Sequence, residues 1–451
     1  MYIFKPISAF DRGLDIYRAF KSDPSLQKMF TRADGIYYYD SDNRKVIDGV
    51  SGLWCCNAGH GQEKIHEAVK AQLDKMAYAP SFQTSHDLPF EFSEKILNLF
   101  SPSRRFDQVF FTMCGSTAVD TAMKMALAYH KAKGDSSRIR FIGRERGYHG
   151  VGFGGISVGG ISPNRKAFAG GLLPFVDHLP HTHSLPNMAF SRGLPTWGEH
   201  LADELERLCI LHDPSTIAAL IIEPVPGSTG VLPPPVGYLR KIKSICEKHD
   251  ILLIFDEVIT GFGRTGPSFA TELFDVTPDI VTMAKGLTNA VIPCGAVVTS
   301  EKIYQVMVEN AHAHNSPIEL FHGFTYSGHP LAMAAGVATI DAFEEQNLFD
   351  KSIDNSPYFE DLIHSMKGLP HVVDTRNCGM MGAVELEPIS GEPTKRSNDI
   401  FNKCFGKGLF VRATGQTIAL SPPLISSKND LKKMVEILSE SIVESSKLLG
   451  N

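Results

Sequence analysis

The chain has 451 residues, and its 44 Lys and Arg against 50 Asp and Glu give a formal net charge of −6. Hydrophobic residues make up 43% of it, and 39 glycines and 27 prolines follow no period, which excludes collagen, coiled coils and intrinsic disorder. A slightly acidic chain has no basic surface for nucleic acid or an anionic membrane, so chemistry on small molecules is expected.

The sequence carries no signal for export, membrane insertion or a metal site. Its apolar runs fall short of the roughly 20 residues that a membrane-spanning helix needs. The first 17 residues carry charges throughout and lack the apolar core of a secretion signal. Eight cysteines form no CxxC pair, and no HExxH motif occurs. We therefore expect a cytoplasmic protein with reduced thiols and no bound metal.

Short apolar strands alternate with helices through the middle of the chain, a pattern typical of a mostly parallel sheet covered by helices on both faces. The first unit is a strand at 108–114 and a helix at 117–130, which opens directly after Gly115 and Ser116. Further strands are predicted at 217–223, 251–256, 280–284 and 294–299, with a helix at 239–249.

The pattern changes after Pro330. An Ala-rich helix at 331–346 leads into weaker strand signals and a final amphipathic helix at 429–449. The predicted domains are an N-terminal segment at 1–59 that joins the small domain, a large α/β domain at 60–329, and a smaller α+β domain at 330–451.

Two motifs suggest nucleotide binding but lack its context. GFGRTG at 261–266 matches G-x-G-x-x-G, yet Pro267 and Ser268 follow where that fingerprint must open a helix. LLIFDE at 252–257 resembles the acidic strand of P-loop ATPases, but the chain has no G-x-x-x-x-G-K-[ST] loop. A nucleotide-dependent oxidoreductase or ATPase is therefore disfavoured.

Three other features together describe a pyridoxal 5'-phosphate site. Asp256 ends a buried strand, Lys285 follows the next one, and Gly115 and Ser116 precede a helix. The cofactor needs an amine that binds it covalently, a carboxylate that keeps its pyridine nitrogen protonated, and backbone donors for its phosphate. Each residue alone is more often structural, as a solvated lysine, a capped aspartate or a turn, but the combination predicts this cofactor.

Longer motifs carry a family resemblance over nearly the whole chain. The chain resembles the class III, or omega, aminotransferases at GYHG (147–150), IEPVPGSTGVLPPPVGY (222–238), IFDEVITGFGRTG (254–266), MAKGL (283–287) and GFTYSGHP (323–330). Similarity to the beta-alanine (omega-amino acid):pyruvate branch lies in SGLWCCNAGHG (51–61), RERGYHGVGFGGISVGG (144–160) and RATGQTIALSPPLI (412–425). The resemblance implies the PLP-dependent transferase fold of type I, with a large domain whose mostly parallel seven-stranded sheet lies between helices and a smaller α+β domain.

The same resemblance implies the residues that handle the cofactor. Lys285 would bind it covalently and move a proton between substrate and cofactor, while Asp256 pairs with the pyridine nitrogen. Tyr148 would stack on one face of the ring and Val258 on the other, although simple core packing also explains Val258. His149 would adjust the surroundings of the ring.

The phosphate and its support are also implied by the resemblance. Gly115 and Ser116 would bind the phosphate, and Thr325 of a neighbouring subunit would complete that site, so a homodimer or a tetramer of dimers is expected. Glu223 would form hydrogen bonds behind the cofactor, mainly as structural support. Thr117 stands where many relatives carry an acidic residue, and we leave it outside the site.

Substrate recognition is expected to depend on Arg412, whose planar guanidinium can bind a carboxylate through two parallel hydrogen bonds. Trp54 and Phe82 would line the substrate pocket with apolar surface. The alternatives are a surface ion pair for Arg412 and ordinary core packing for the two aromatic residues. Gln416 replaces an Asp that is frequent in close relatives, with no predicted consequence.

The resemblance implies a ping-pong aminotransferase. Beta-alanine, or a related omega-amino acid or amine, would donate its amino group to pyruvate, giving malonate semialdehyde and L-alanine. The alternatives within the family are a 2-oxoglutarate-dependent enzyme, a diamine or taurine transaminase, and an aminomutase.

Overall fold

The computed structural model describes residues 28–449. The strands of this part, in chain order, are β1 (Phe30–Asp34), β2 (Tyr37–Asp40), β3 (Lys45–Asp48), β4 (Phe106–Thr112), β5 (Arg140–Arg144), β6 (Val176–Leu179), β7 (Ile217–Ile222), β8 (Leu252–Asp256), β9 (Ile280–Met283), β10 (Gly295–Ser300), β11 (Val372–Cys378), β12 (Met381–Leu386), β13 (Leu409–Phe410), β14 (Arg412–Thr414) and β15 (Thr417–Leu420). The helices are α1 (Ser51–Trp54), α2 (Glu63–Lys75), α3 (Leu88–Asn98), α4 (Gly115–Ala132), α5 (Phe153–Val158), α6 (Ser162–Ala167), α7 (Leu185–Met188), α8 (Asp203–His212), α9 (Tyr238–Lys248), α10 (Ala270–Phe274), α11 (Glu301–Ala313), α12 (Pro330–Glu345), α13 (Leu348–His364), α14 (Lys395–Gly406) and α15 (Lys428–Leu449).

The largest sheet has seven strands in the order β4-β10-β9-β8-β7-β5-β6. The strands from β6 to β9 in this order pair in parallel, whereas β10 is antiparallel to both of its neighbours. Consequently β4 runs in the same direction as the five parallel strands, and six strands end at one edge of the sheet. The predicted mostly parallel seven-stranded sheet is confirmed.

Both faces of this sheet are covered by helices, as the continuous apolar runs predict. Every residue of β7 is buried. Because side chains alternate along a strand, Ala219 and Ile221 pack in one cluster with the apolar face of α4, while Leu220 and Ile222 pack in another with α9. The loops that form the site therefore begin at the strand ends of a sheet that is packed on both faces.

Two four-stranded sheets complete the described part, in the orders β1-β2-β3-β13 and β11-β12-β15-β14. In the first, β3 pairs in parallel with β13, with Ile47 opposite Leu409. The N-terminal strands thus share a sheet with the C-terminal part of the chain. The boundaries 1–59, 60–329 and 330–451 stay a prediction, and residues 1–27 lie outside the described part.

The glycine-rich segment after β8 does not open a helix. Gly263 and Gly266 have φ angles of 81° and 112°, and the chain turns through this segment until α10 begins at Ala270. A dinucleotide fingerprint requires a helix N-terminus at this point, so the geometry agrees with the sequence-based argument against such a site. Within residues 28–449, no helix is long and apolar enough to cross a membrane.

Strand β5, which leads towards Tyr148 and His149, depends on a glycine. A Cβ at Gly143 would lie 1.9 Å from the carbonyl oxygen of Val158, and backbone cannot move aside locally. We expect Gly143→Ala to lower the free energy of unfolding by about 3 kcal/mol, measured by urea unfolding. The control is Gly406→Ala, since a Cβ there meets nothing within 4 Å. Equal urea midpoints for the two variants would contradict the close approach of Gly143 to the Val158 backbone.

Candidate active site

A cavity of about 490 Å³ opens where the co-directional strands end. In an open parallel sheet, the loops at the carboxyl edge are the ones that converge on a ligand. The strand-end residues that line the cavity are Cys114 after β4, His149 after β5, Glu223 after β7, Asp256 at the end of β8 and Lys285 after β9.

Lys285 lines this cavity. Its backbone has a φ of 52°, a left-handed conformation that is uncommon for a residue with a side chain and is often found at functional sites. No hydrogen bond or ion pair holds the amine among the described residues. Burial lowers the pKa of Lys285 from its usual 10.5, because desolvation disfavours the ammonium form. The amine is therefore more readily deprotonated and more nucleophilic than an exposed lysine.

Asp256 is fixed by several partners and is only 4% exposed. One carboxylate oxygen, Oδ2, lies 2.8 Å from His149 Nδ1, whose N–H can donate to it. The other, Oδ1, accepts hydrogen bonds from the Val258 N–H (3.1 Å) and the Thr282 hydroxyl (3.2 Å). These contacts fix the orientation of the Asp256 carboxyl group at the cavity wall.

Gly115 and Ser116 form the first turn of the 18-residue helix α4, where backbone N–H groups have no partner within the helix. The partial positive charge of this end favours an anion such as phosphate. A Cβ at Gly115 would lie 3.1 Å from Val258, so a larger residue would crowd the cavity wall. The Ser116 hydroxyl accepts a hydrogen bond from the Val151 N–H (3.1 Å) and can still donate its own proton.

Thr117 has a structural role at the start of α4. Its hydroxyl accepts hydrogen bonds from the N–H groups of Met113 and Cys114, at 3.2 and 3.0 Å, as the N3 side chain of a capping box does. Thr117 is not among the residues that line the cavity. This geometry agrees with leaving it outside the site.

Glu223 supports the loop that carries Tyr148. Its carboxylate accepts hydrogen bonds from the Tyr148 N–H (2.8 Å) and the Gly227 N–H (3.3 Å). Burial raises the pKa of Glu223 to about 7. Burial, together with the charges of Asp256 and Glu223, also raises the pKa of the Tyr148 phenol.

These groups fit pyridoxal 5'-phosphate. An unpaired amine, a fixed carboxylate and a helix N-terminus line one cavity, and each matches a different part of the cofactor. The unpaired lysine is the decisive observation, because even a partly buried amine without a partner is costly unless a bound group uses it.

The substrate-binding residues predicted from the sequence lie in two different regions of the structure. Trp54 and Arg412 line the cavity, Trp54 being only 3% exposed. Phe82 does not line it; it is 56% exposed, and its ring lies against Gly323. Thr325 is also exposed and outside the cavity, and its carbonyl accepts a hydrogen bond from the Tyr78 hydroxyl at 2.9 Å.

The cavity therefore brings together all the predicted site residues except Phe82 and Thr325. Sequence reasoning missed other lining residues, including Cys55, Cys114, Asn164 and Thr414. Cys55 and Thr414 lie inside quoted motifs, which was an available signal. Asn164 lies on the short helix α6, and no pattern in the sequence marks it.

Comparisons with known proteins agree on one family. The family model described as aminotransferase class-III matches residues 19–442. An omega-aminotransferase of Caulobacter vibrioides is 55% identical over 421 residues, covering 93% of this chain and 94% of the relative. A beta-alanine–pyruvate aminotransferase of Pseudomonas aeruginosa is 45% identical, covering 94% and 93%. The omega transaminase of Pseudomonas jessenii in complex with PMP superposes with a TM-score of 0.89 at 30% identity, covering 98% and 97%.

The raised pKa of Glu223 predicts a pH-dependent stability. The folded protein holds this proton up to about pH 7, whereas an unfolded glutamate releases it near 4.5. Stability should therefore fall as pH rises between these values, by up to about 3 kcal/mol. Glu223→Gln cannot titrate and therefore lacks this loss of stability. In the cofactor-free protein, the free energy of unfolding of the variant relative to that of the wild type should rise between pH 4.5 and pH 8.

Urea midpoints of both proteins at the two pH values measure this effect. Glu67→Gln, on the exposed surface of α2, is the matched control and should show no such pH-dependent gain. A gain of equal size in both variants would contradict a buried, proton-binding Glu223.

Proposed function

Because the chain belongs to the class III, or omega, aminotransferase family, we propose that it transfers an amino group from beta-alanine or a related omega-amino acid to pyruvate. The observation that carries the proposal is the partly buried, unpaired Lys285 amine in one cavity with Asp256, the α4 N-terminus and Arg412. The products would be malonate semialdehyde and L-alanine.

The chemistry begins with the cofactor of this family, pyridoxal 5'-phosphate. When bound, it carries the amino group between the two substrates and accepts the electrons of the carbon that loses its proton. Asp256, oriented by His149, would stabilise the positive charge of the pyridine nitrogen by ion pairing. The N–H groups at the start of α4, with Ser116, would hold the phosphate.

Lys285 is the acid and base of the reaction. Because its pKa is lowered, a larger fraction of this amine is neutral than in an exposed lysine, so Nζ can remove a proton from the substrate carbon and return it. Tyr148 and Val258 line the cavity beside it and limit the position of the cofactor ring. Glu223 fixes the backbone of Tyr148.

Arg412 would recognise the carboxylate that beta-alanine and pyruvate share. It lies on β14, at the edge of its sheet, and lines the same cavity as Lys285. Its guanidinium can form two parallel hydrogen bonds with a carboxylate. Trp54 limits the size of the donor by covering the apolar side of the cavity.

We further propose that the protein is a cytoplasmic homodimer, or a tetramer of two such dimers. Thr325 and Phe82 lie on one exposed surface of the chain, joined by the contacts of Tyr78 with Thr325 and of Phe82 with Gly323. In the proposed dimer this surface faces the partner, and Thr325 completes the phosphate site there.

The two half-reactions can be followed in the absorbance spectrum of the purified holoenzyme. We expect beta-alanine to remove the visible cofactor band and pyruvate, but not 2-oxoglutarate, to restore it. Lys285→Ala, which cannot bind the cofactor covalently, is the control and should lack the original band. If 2-oxoglutarate restores the band, the proposal that pyruvate is the specific acceptor is wrong. If beta-alanine leaves the band unchanged, the proposal that it is the donor is wrong.

Carboxylate recognition by Arg412 predicts a selective defect. Arg412→Ala should raise the KM for beta-alanine and for pyruvate by about 100-fold, since two charge-assisted hydrogen bonds are lost. The KM for 1-phenylethylamine, an amine donor without a carboxylate, should change little. Steady-state kinetics with each donor measure the difference, and an equal rise for both donors would contradict this role.

A further inference from the structure

Two adjacent cysteines lie beside the active site. Cys55 lines the cavity, and its sulfur is 3.9 Å from that of Cys56. Both side chains are partly exposed, whereas five of the other six cysteines are buried. The remaining one, Cys114, also lines the cavity but stands at the start of α4.

The backbone of this segment directs both sulfurs to the same side. The N–H groups of Cys55 and Cys56 both donate to the Ser51 carbonyl, at 2.9 and 3.0 Å. A Cβ at Gly52 would lie 3.2 Å from the Cys56 sulfur and 3.3 Å from the Cys55 sulfur. Gly52 itself has a φ of 67°, a conformation that favours glycine. The chain thus folds tightly around Gly52 and keeps the two thiols together.

We propose that Cys55 and Cys56 form a reversible oxidation site, which a hydroperoxide closes to a disulfide and a dithiol reopens, and that closure displaces Trp54 from the cavity wall. This proposal goes beyond the transfer of amino groups and does not depend on which amine the enzyme uses.

Cys55 is the more reactive thiol of the pair. The hydrogen bond from Cys56 lowers its pKa to about 7, and the Leu53 N–H and the nearby Lys285 act in the same direction. The same pairing and burial raise the pKa of Cys56. Since a thiolate is the nucleophile in thiol oxidation, the first step is assigned to Cys55.

The reaction balances with one hydroperoxide. The Cys55 thiolate attacks one peroxide oxygen, the O–O bond breaks, and the leaving alkoxide takes a proton to become an alcohol, which leaves a sulfenic acid on Cys55. Cys56 then attacks that sulfur, the S–O bond breaks, and water leaves with the Cys56 proton. Two thiols have lost two hydrogen atoms, and the peroxide has been reduced to an alcohol and water.

Closure must move the backbone. The sulfurs have to approach from 3.9 Å to about 2.0 Å. The Cα atoms of neighbouring residues are about 3.8 Å apart, below the roughly 4.4–6.8 Å usual for a disulfide. Such a strained bond is easily reduced, as a regulatory disulfide requires. Trp54 directly precedes the pair and has a left-handed φ of 63°, so closure changes the backbone next to this residue of the cavity wall.

The test treats the holoenzyme with hydrogen peroxide and follows both mass and activity. The tryptic peptide 46–64 contains Cys55 and Cys56 and no other cysteine. We expect this peptide to lose about 2 Da and to regain it with dithiothreitol. In parallel, transamination should fall by about tenfold and recover, because Trp54 has moved in the substrate pocket.

Two variants distinguish oxidation of the Cys55–Cys56 pair from oxidation of Cys114. Each variant is compared with its own untreated form. Cys56→Ser should show neither the 2 Da loss nor inhibition that dithiothreitol reverses, because Cys55 then has no partner. Cys114→Ser keeps the pair and should retain both effects. If peptide 46–64 keeps both thiols while Cys114 is oxidised, the assignment of the oxidation site to Cys55 and Cys56 is wrong. A complete 2 Da loss with unchanged activity would overturn the displacement of Trp54.

Discussion

The shared direction of six strands in the large sheet is the constraint on which the rest of the structure depends. Because β10 is antiparallel to both neighbours, β4 keeps the direction of the parallel strands, and residues from β4, β5, β7, β8 and β9 reach one edge. Each strand contributes a different chemical group there. Burial on both faces of the sheet holds these strand ends, so the geometry of the groups is fixed before any ligand binds.

The electrostatics of the cavity follow from this arrangement. Asp256 has three hydrogen-bond partners, whereas burial raises the pKa of Glu223 and lowers the pKa of Lys285. The cavity thus holds a hydrogen-bonded carboxylate beside an acid whose pKa is raised to about 7 and an amine whose pKa is lowered. A raised pKa for an acid and a lowered pKa for a base within one cavity are typical of acid and base catalysis.

The wall on the substrate side has a different character. Trp54, Cys55 and Arg412 come from α1, the residue after it, and β14, all outside the large sheet. The short helix α1 contains several left-handed backbone angles. A strained segment of this kind can respond to a covalent change that the packed sheet would resist. The cofactor side of the cavity is therefore rigid, and the substrate side is where the proposed oxidation acts.

Much of this protein could be predicted from the sequence. The apolar runs identified β7, β8, β9 and β10 to within about one residue, since strands buried on both faces leave a continuous hydrophobic signal. Asp256 and Lys285 were recognisable because each stands where such a run stops. Glycine-rich and proline-rich motifs then indicated the family.

Only the tertiary structure decided which residues share the cavity. Asn164 and Cys114 face it because separate loops converge there, and no local pattern encodes that convergence. Phe82 was expected at the pocket and lies instead on the exposed surface near Thr325, because a local sequence pattern does not show which surface an aromatic residue faces. The sequence by itself determined the strands, the family and the chemical groups, since these depend on short segments. Their distances, partners and pKa values depend on contacts between segments that are far apart in the chain.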